Sequence, residues 1–155
     1  MKRIAAVFLC AVMLCALPVS AGIGSRNTMY VGGTITSLKA GVEGKSSTAD
    51  EMAFIFTYKQ DKLAMPYSKV NGLEYGQKAG RRIGLAIVVS PLLLFSKKRK
   101  HFLTVNYMDE ADKQQAVVFE LGKDVVRVTL ASLEARTGQK IEYQDEEARK
   151  SSKGN

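Results

Sequence analysis

The chain has 155 residues, 46% of them apolar and 25% charged, and a formal net charge of +8. Those proportions fit one globular domain and exclude a wholly disordered chain. The basic balance points toward anionic surfaces as partners and carries no information about fold.

Lys2 and Arg3 open the chain, Ile4 to Leu17 is apolar, Pro18 ends the run, and Val19-Ser20-Ala21 puts small residues where a signal peptidase cuts. Residues 1–21 therefore read as a secretory signal whose apolar core is too short to span a bilayer. The expected location is outside the cytoplasm, periplasmic or extracellular, free or membrane-associated. Cys10 and Cys15 both fall inside this segment. The expected mature chain, about 134 residues, then has no cysteine, which excludes disulfides and thiolate metal sites from it.

Residues 28–36 favour a strand bent at Gly32-Gly33. Residues 39–50, rich in Gly, Ser and Lys, read as a loop. Met52 to Tyr58 alternates Phe54, Phe56 and Tyr58 as a strand does, and Lys59 to Lys62 reads as a hairpin turn. The returning strand carries Leu63, Met65 and Tyr67 on one face, and Pro66 argues for a sheet edge or a bulge. Asn71-Gly72 suggests a turn before a short strand with Leu73 and Tyr75.

Farther on, Phe102 to Met108 and Ala116 to Leu121 alternate around the turn Asp109-Glu110-Ala111-Asp112, the clearest hairpin in the chain. From Lys123 to Thr137 the period becomes helical, with Val125, Val126, Thr129, Leu130 and Leu133 on one face. Gly138 supplies a helix stop. Ile141 and Tyr143 suit a last short strand, and residues 144–155 read as a flexible charged tail. Strands followed by one amphipathic helix predict a mainly β, α+β domain over 22–143.

The run Leu63-Ala64-Met65-Pro66-Tyr67-Ser68-Lys69-Val70, followed by Leu73-Glu74-Tyr75, resembles the apolar-Pro-Tyr-Ser-x-apolar strand and turn of bacterial pleckstrin-homology-like and GRAM-like domains. The later hairpin and helix match theirs in order over roughly 28–143, and Ser96 to Thr104 resembles small exported bacterial proteins of unknown function. The resemblance implies an antiparallel barrel or sandwich of about seven strands, closed by one C-terminal helix, with a binding role and no catalysis. It does not carry the family's phosphoinositide ligand, because the first loop offers only Lys39 and Lys45, interrupted by Glu43 and glycines.

The strongest functional signal is residues 78–101. Lys78, Arg81 and Arg82 precede an uncharged stretch from Ile83 to Phe95, and Lys97, Lys98, Arg99, Lys100 and His101 follow. Apolar side chains between cations suit a segment seated shallowly in a membrane, with Leu92 and Leu93 in the apolar part and Arg81, Arg82 and Lys97 to Lys100 near lipid phosphates. A span is excluded, because so short a helix reaches only about 20 Å against about 30 Å of hydrocarbon. Ile83, Leu85, Ile87 and Val89 also alternate as a buried strand does, so core or subunit contact remains the competing reading. The candidate partners are an anionic lipid surface, an envelope protein or a second copy of the chain.

Signals for catalysis are poor. His101 is the single histidine, which leaves no imidazole pair for a metal or for a nucleophile–base set. The cations beside it would depress its pKa, and its place at a strand end suits a surface residue. Asp109, Glu110 and Asp112 fall in a turn without calcium-loop spacing, and Asp145, Glu146 and Glu147 fall in the expected tail. No cofactor, metal or nucleic-acid partner is expected, since Phe54, Phe56 and Tyr58 alternate without cations and read as core.

Overall fold

The computed structural model describes residues 25–77, 88–89 and 100–153. In chain order the elements are β1 (Ser25–Gly33), β2 (Val42–Ser47), β3 (Ala53–Tyr58), β4 (Asp61–Pro66), a 3-10 turn (Tyr67–Lys69), β5 (Val70–Gly76), β6 (Val88–Val89), β7 (His101–Met108), β8 (Gln114–Leu121), α1 (Val126–Thr137), β9 (Ile141–Tyr143) and α2 (Glu146–Lys153). The fold is α+β and mainly β.

The strands form one sheet in the order β4-β3-β2-β1-β8-β7-β5-β9, with β6 paired to β1. Neighbours are antiparallel except β5 and β9, which run parallel. Among the described strands the sheet does not close into a barrel. It must nevertheless curl strongly. A flat path from β4 to β5 would cross six strand spacings, about 29 Å. Only the 3-10 turn joins Pro66 to Val70, and that much chain reaches about 14 Å at most.

The concave face carries the main core. Cross-strand register lines up Tyr30, Phe119, Leu103, Tyr75 and Tyr143 across β1, β8, β7, β5 and β9. Phe119 sits at its centre, with ring centroids 5.0 Å from Phe56, 5.9 Å from Phe54 and 6.2 Å from Tyr30. Helix α1 adds Val126, Leu130 and Leu133 to the same cluster, so the amphipathic face read from sequence is the one that packs. Gly138, at φ +70°, ends the helix and donates its N–H to the Glu134 carbonyl. Arg136 lies over the Tyr67 ring at 5.4 Å, joining the end of α1 to the 3-10 turn.

The other face of the central strands is also buried: Val31, Phe102, Ala116 and Val118 are 5% exposed or less. These strands are covered on both sides, and β6 runs beside them on β1, with Gly32 and Gly33 opposite Val89 and Val88.

Several expectations change. Residues 39–50 contain β2; its glycine is a packing choice, because a Cβ on Gly44 would lie 2.3 Å from the Thr57 carbonyl oxygen and 2.8 Å from the Phe56 ring. Asn71-Gly72 is a register shift inside β5, not a turn. Pro66 does end an edge strand, and the Gly32 region does carry an irregularity in β1. The sheet is mixed rather than wholly antiparallel, and the described residues include two α-helices where one was expected. Residues 144–155 are not merely a charged tail: 146–153 form α2. Asp145 caps it by accepting from the Ala148 N–H at 2.7 Å, and Ala148 and Ser152 are buried.

Candidate functional site

β5 and β7 are antiparallel neighbours whose ends pair at Gly76 and Phe102. The chain leaves β5 after Gly76 and enters β7 at His101, so residues 77–100, which include β6, connect two adjacent strand ends. Of the residues proposed for contact, Arg81, Arg82, Leu92, Leu93, Lys97, Lys98 and Arg99 lie outside the described residues. Within the apolar run, Val88 and Val89 are described, and their backbone pairs with β1.

Lys100 is described, and it is not a free cation. Its Nζ donates to Glu120 Oε2 at 2.7 Å, with the two side chains only 20% and 23% exposed. Glu120 stands opposite Phe102 on β8, so this ion pair fixes the end of the basic run to the sheet.

His101 differs from the expected surface residue. It stands opposite Leu121 on β8 and is half-buried. Its Nδ1 lies 2.5 Å from the hydroxyl of Tyr75, which is itself fully buried. The Tyr75 hydroxyl also lies 3.2 Å from Ser151 Oγ on α2, and Ser151 donates to the Ala148 carbonyl at 2.8 Å. Burial lowers the His101 pKa most, the Lys123 charge lowers it further, and Glu120 opposes both. The direction follows the sequence reading, but the main cause is desolvation.

The C-terminal segment grips the same place. Gln144 donates its backbone N–H to the Tyr75 carbonyl at 3.0 Å, and a Cβ on Gly76 would collide with the Gln144 side chain. Tyr143 packs edge-on against Tyr75 at 6.1 Å. Tyr75 was read from sequence only as a strand residue, and Glu120 and Ser151 were not singled out. Each is an ordinary strand or tail residue until the register brings it to His101.

In the acidic turn, Asp109 and Asp112 are engaged by groups of the protein itself. Asp109 Oδ1 accepts from the N–H groups of Ala111 and Lys113 at 2.9 Å each, and Oδ2 from Gln115 Nε2 at 2.8 Å. These bonds, that from Lys113 first, hold its carboxyl below the usual range. Asp112 pairs with Lys69 at 2.7 Å. Among the described residues no group of three or more His, Cys, Asp or Glu side chains could hold a metal, and no helix is long and apolar enough to cross a membrane.

Compared with known proteins, the chain matches no family model and no curated protein.

Proposed function

We propose that this chain is an exported, non-enzymatic binding module of pleckstrin-homology-like or GRAM-like architecture. It engages a membrane surface or an envelope partner through residues 78–101. The strand path β4-β3-β2-β1-β8-β7-β5 followed by α1 supports the architecture, as does the curl that the short β4–β5 joint demands. The function rests on one observation. Gly76 and Phe102 pair directly, yet the chain spends residues 77–100 between their strands. A hairpin needs about 2–5 residues for closure, so this connection, with β6 inside it, has chain to spare for contact. The composition of this one, apolar between cations, suits a lipid or protein surface.

Co-sedimentation of the mature chain, starting at Gly22, with vesicles of phosphatidylcholine and phosphatidylglycerol tests the membrane contact. Binding at low salt that falls as salt rises is the expected result. Failure to sediment at low salt removes the membrane and leaves the protein partner.

A second reading buries 83–95 against protein, either this chain's own sheet or another copy. The β6–β1 pairing and the buried outer residues Val31, Phe102, Ala116 and Val118 favour it. Light scattering without lipid tests assembly. A monomer that loses thermal stability on Leu92→Ser and Leu93→Ser would assign the stretch to the chain's own core.

A further inference from the structure

The two faces of the sheet are filled differently. On the concave side both helices supply cover, with Leu130 and Leu133 of α1 and Ala148 of α2 in the cluster. Val31, Phe102, Ala116 and Val118 are as deeply buried but lie outside that cluster. On β7 and β8 they alternate with the concave Leu103, Val117 and Phe119, and on β1 Val31 follows the concave Tyr30. They therefore form an apolar floor on the outer face.

That floor is local. On β2 and β3 the same face carries Glu43, Lys45 and Thr57, all exposed. The cover stops at β1, the strand on which β6 lies. It also belongs to this chain, because the floor is buried in a single copy.

Register makes the long connection cross the floor. Gly76, Phe102, Glu120 and Met29 stand level across β5, β7, β8 and β1. Farther along β1, Gly32 and Gly33 pair with β8 on one side, so β6 takes the side away from β8. Val88 and Val89 are thus four strand spacings from β5 and three from β7, about 19 Å and about 14 Å along the sheet. Residues 77–87 make the first crossing and 90–100 the second, and either length of chain reaches. Between the two anchor levels Val118 stands opposite both Thr104 and Gly32, so the diagonal passes over the buried floor. The cluster and α1 already fill the concave side. Val88 and Val89 fall inside the uncharged run Ile83 to Phe95, so the part of the connection that reaches β1 is apolar, as the floor is.

We propose that the outer face of β1, β8 and β7 is the seat of residues 83–95 of this same chain. Apolar side chains of the run cover Val31, Phe102, Ala116 and Val118, and the Val88–Val89 backbone fastens it to β1. The inference rests on the second reading above and commits it to one partner surface, this chain's own sheet by that face.

Methyl NMR of the mature chain, Gly22 to Asn155, tests the seat without any substitution. Nuclear Overhauser contacts should join the Val31 and Val118 methyls to Ile and Leu methyls of 83–95. They should keep their relative intensity when labelled chain is diluted into unlabelled chain. Contacts that fade on dilution would overturn the seat while keeping the second reading, with another copy as the partner. No contact from 83–95 in either sample would overturn both. Replacing 83–95 by a Gly/Ser linker of equal length should shift the Val31 and Val118 methyl signals and leave those of Leu130 and Leu133 in place. Unchanged Val31 and Val118 signals in that variant would contradict the seat.

Discussion

β8 returns from β7 through residues 109–113, whereas β7 is reached from β5 only after residues 77–100, although both pairs are antiparallel neighbours. The shorter connection is explained by its own hydrogen bonds. Asp109 holds the turn from within, and Asp112 takes positive φ to reverse the chain. The longer one contains far more chain than closure needs, so closure does not explain its sequence. Its ends are fastened by contacts from elsewhere: Lys100 by Glu120, and Tyr75, which bonds His101, by Ser151 of α2 and by the Gln144 N–H. The division is between a connection accounted for by its own hydrogen bonds and one whose described residues are held at its ends and, at Val88 and Val89, on β1.

The largest effect should come from the core on which both connections stand. Leu130 is 3% exposed on the face of α1 that closes the cluster. Leu130→Asp buries a charge there and should cost more than about 3 kcal/mol. Thermal melts check it, and an unchanged transition would mean that α1 does not close this core.

A smaller effect, confined to one side of the comparison, should follow from Asp109→Ala. The turn loses the carboxylate that organises it, so the melting temperature should drop while vesicle binding stays at the parent's level. Acid should act in the same sense. The folded pKa of Asp109 is depressed below its ordinary 3.8, so its contribution is present above that value and lost as pH falls through the folded one. Stability measured from pH 5 to pH 2 should decline less steeply in the Asp109→Ala variant than in the parent. Equal slopes would contradict the role assigned to this carboxylate.

How far each connection was legible in the sequence follows the same division. The β7–β8 hairpin and α1 are local patterns, a period of two and a period of about 3.6, and they fold as read. β2 was missed because Gly44 and its Lys and Ser neighbours have loop composition, and only the Phe56 ring above Gly44 makes the glycine a strand residue. Asn71-Gly72 reads as a turn by itself, and its place in β5 comes from pairing with β7. β9 needed a parallel partner distant in sequence. α2 needed Tyr75, since Ala148 and Ser151 carry no apolar signal. At the candidate site, the cation-flanked pattern of 78–101 was legible. The ion pair of Lys100 and the burial of His101 were not, because both depend on β8 and α2 arriving beside them.

The smallest stability effect should come from the ion pair at the base of the long connection. Lys100→Met removes one partner of a mostly covered pair and should cost about 1 kcal/mol or less. Chemical denaturation would measure it. A loss as large as that of Leu130→Asp would mean that the base of the connection is part of the core.

The central claim, that residues 78–101 bind rather than merely connect, is tested most directly by vesicle binding of a variant with Lys97, Lys98 and Arg99 changed to Gln. Lys100 is left in place because it serves Glu120. Each cation near an anionic surface contributes about 1 kcal/mol, so removing three should weaken binding to phosphatidylglycerol vesicles on the order of 100-fold at low salt. The melting temperature should stay at the parent's value. A variant that binds as the parent does, or a parent that binds no vesicles at low salt, would contradict the membrane account.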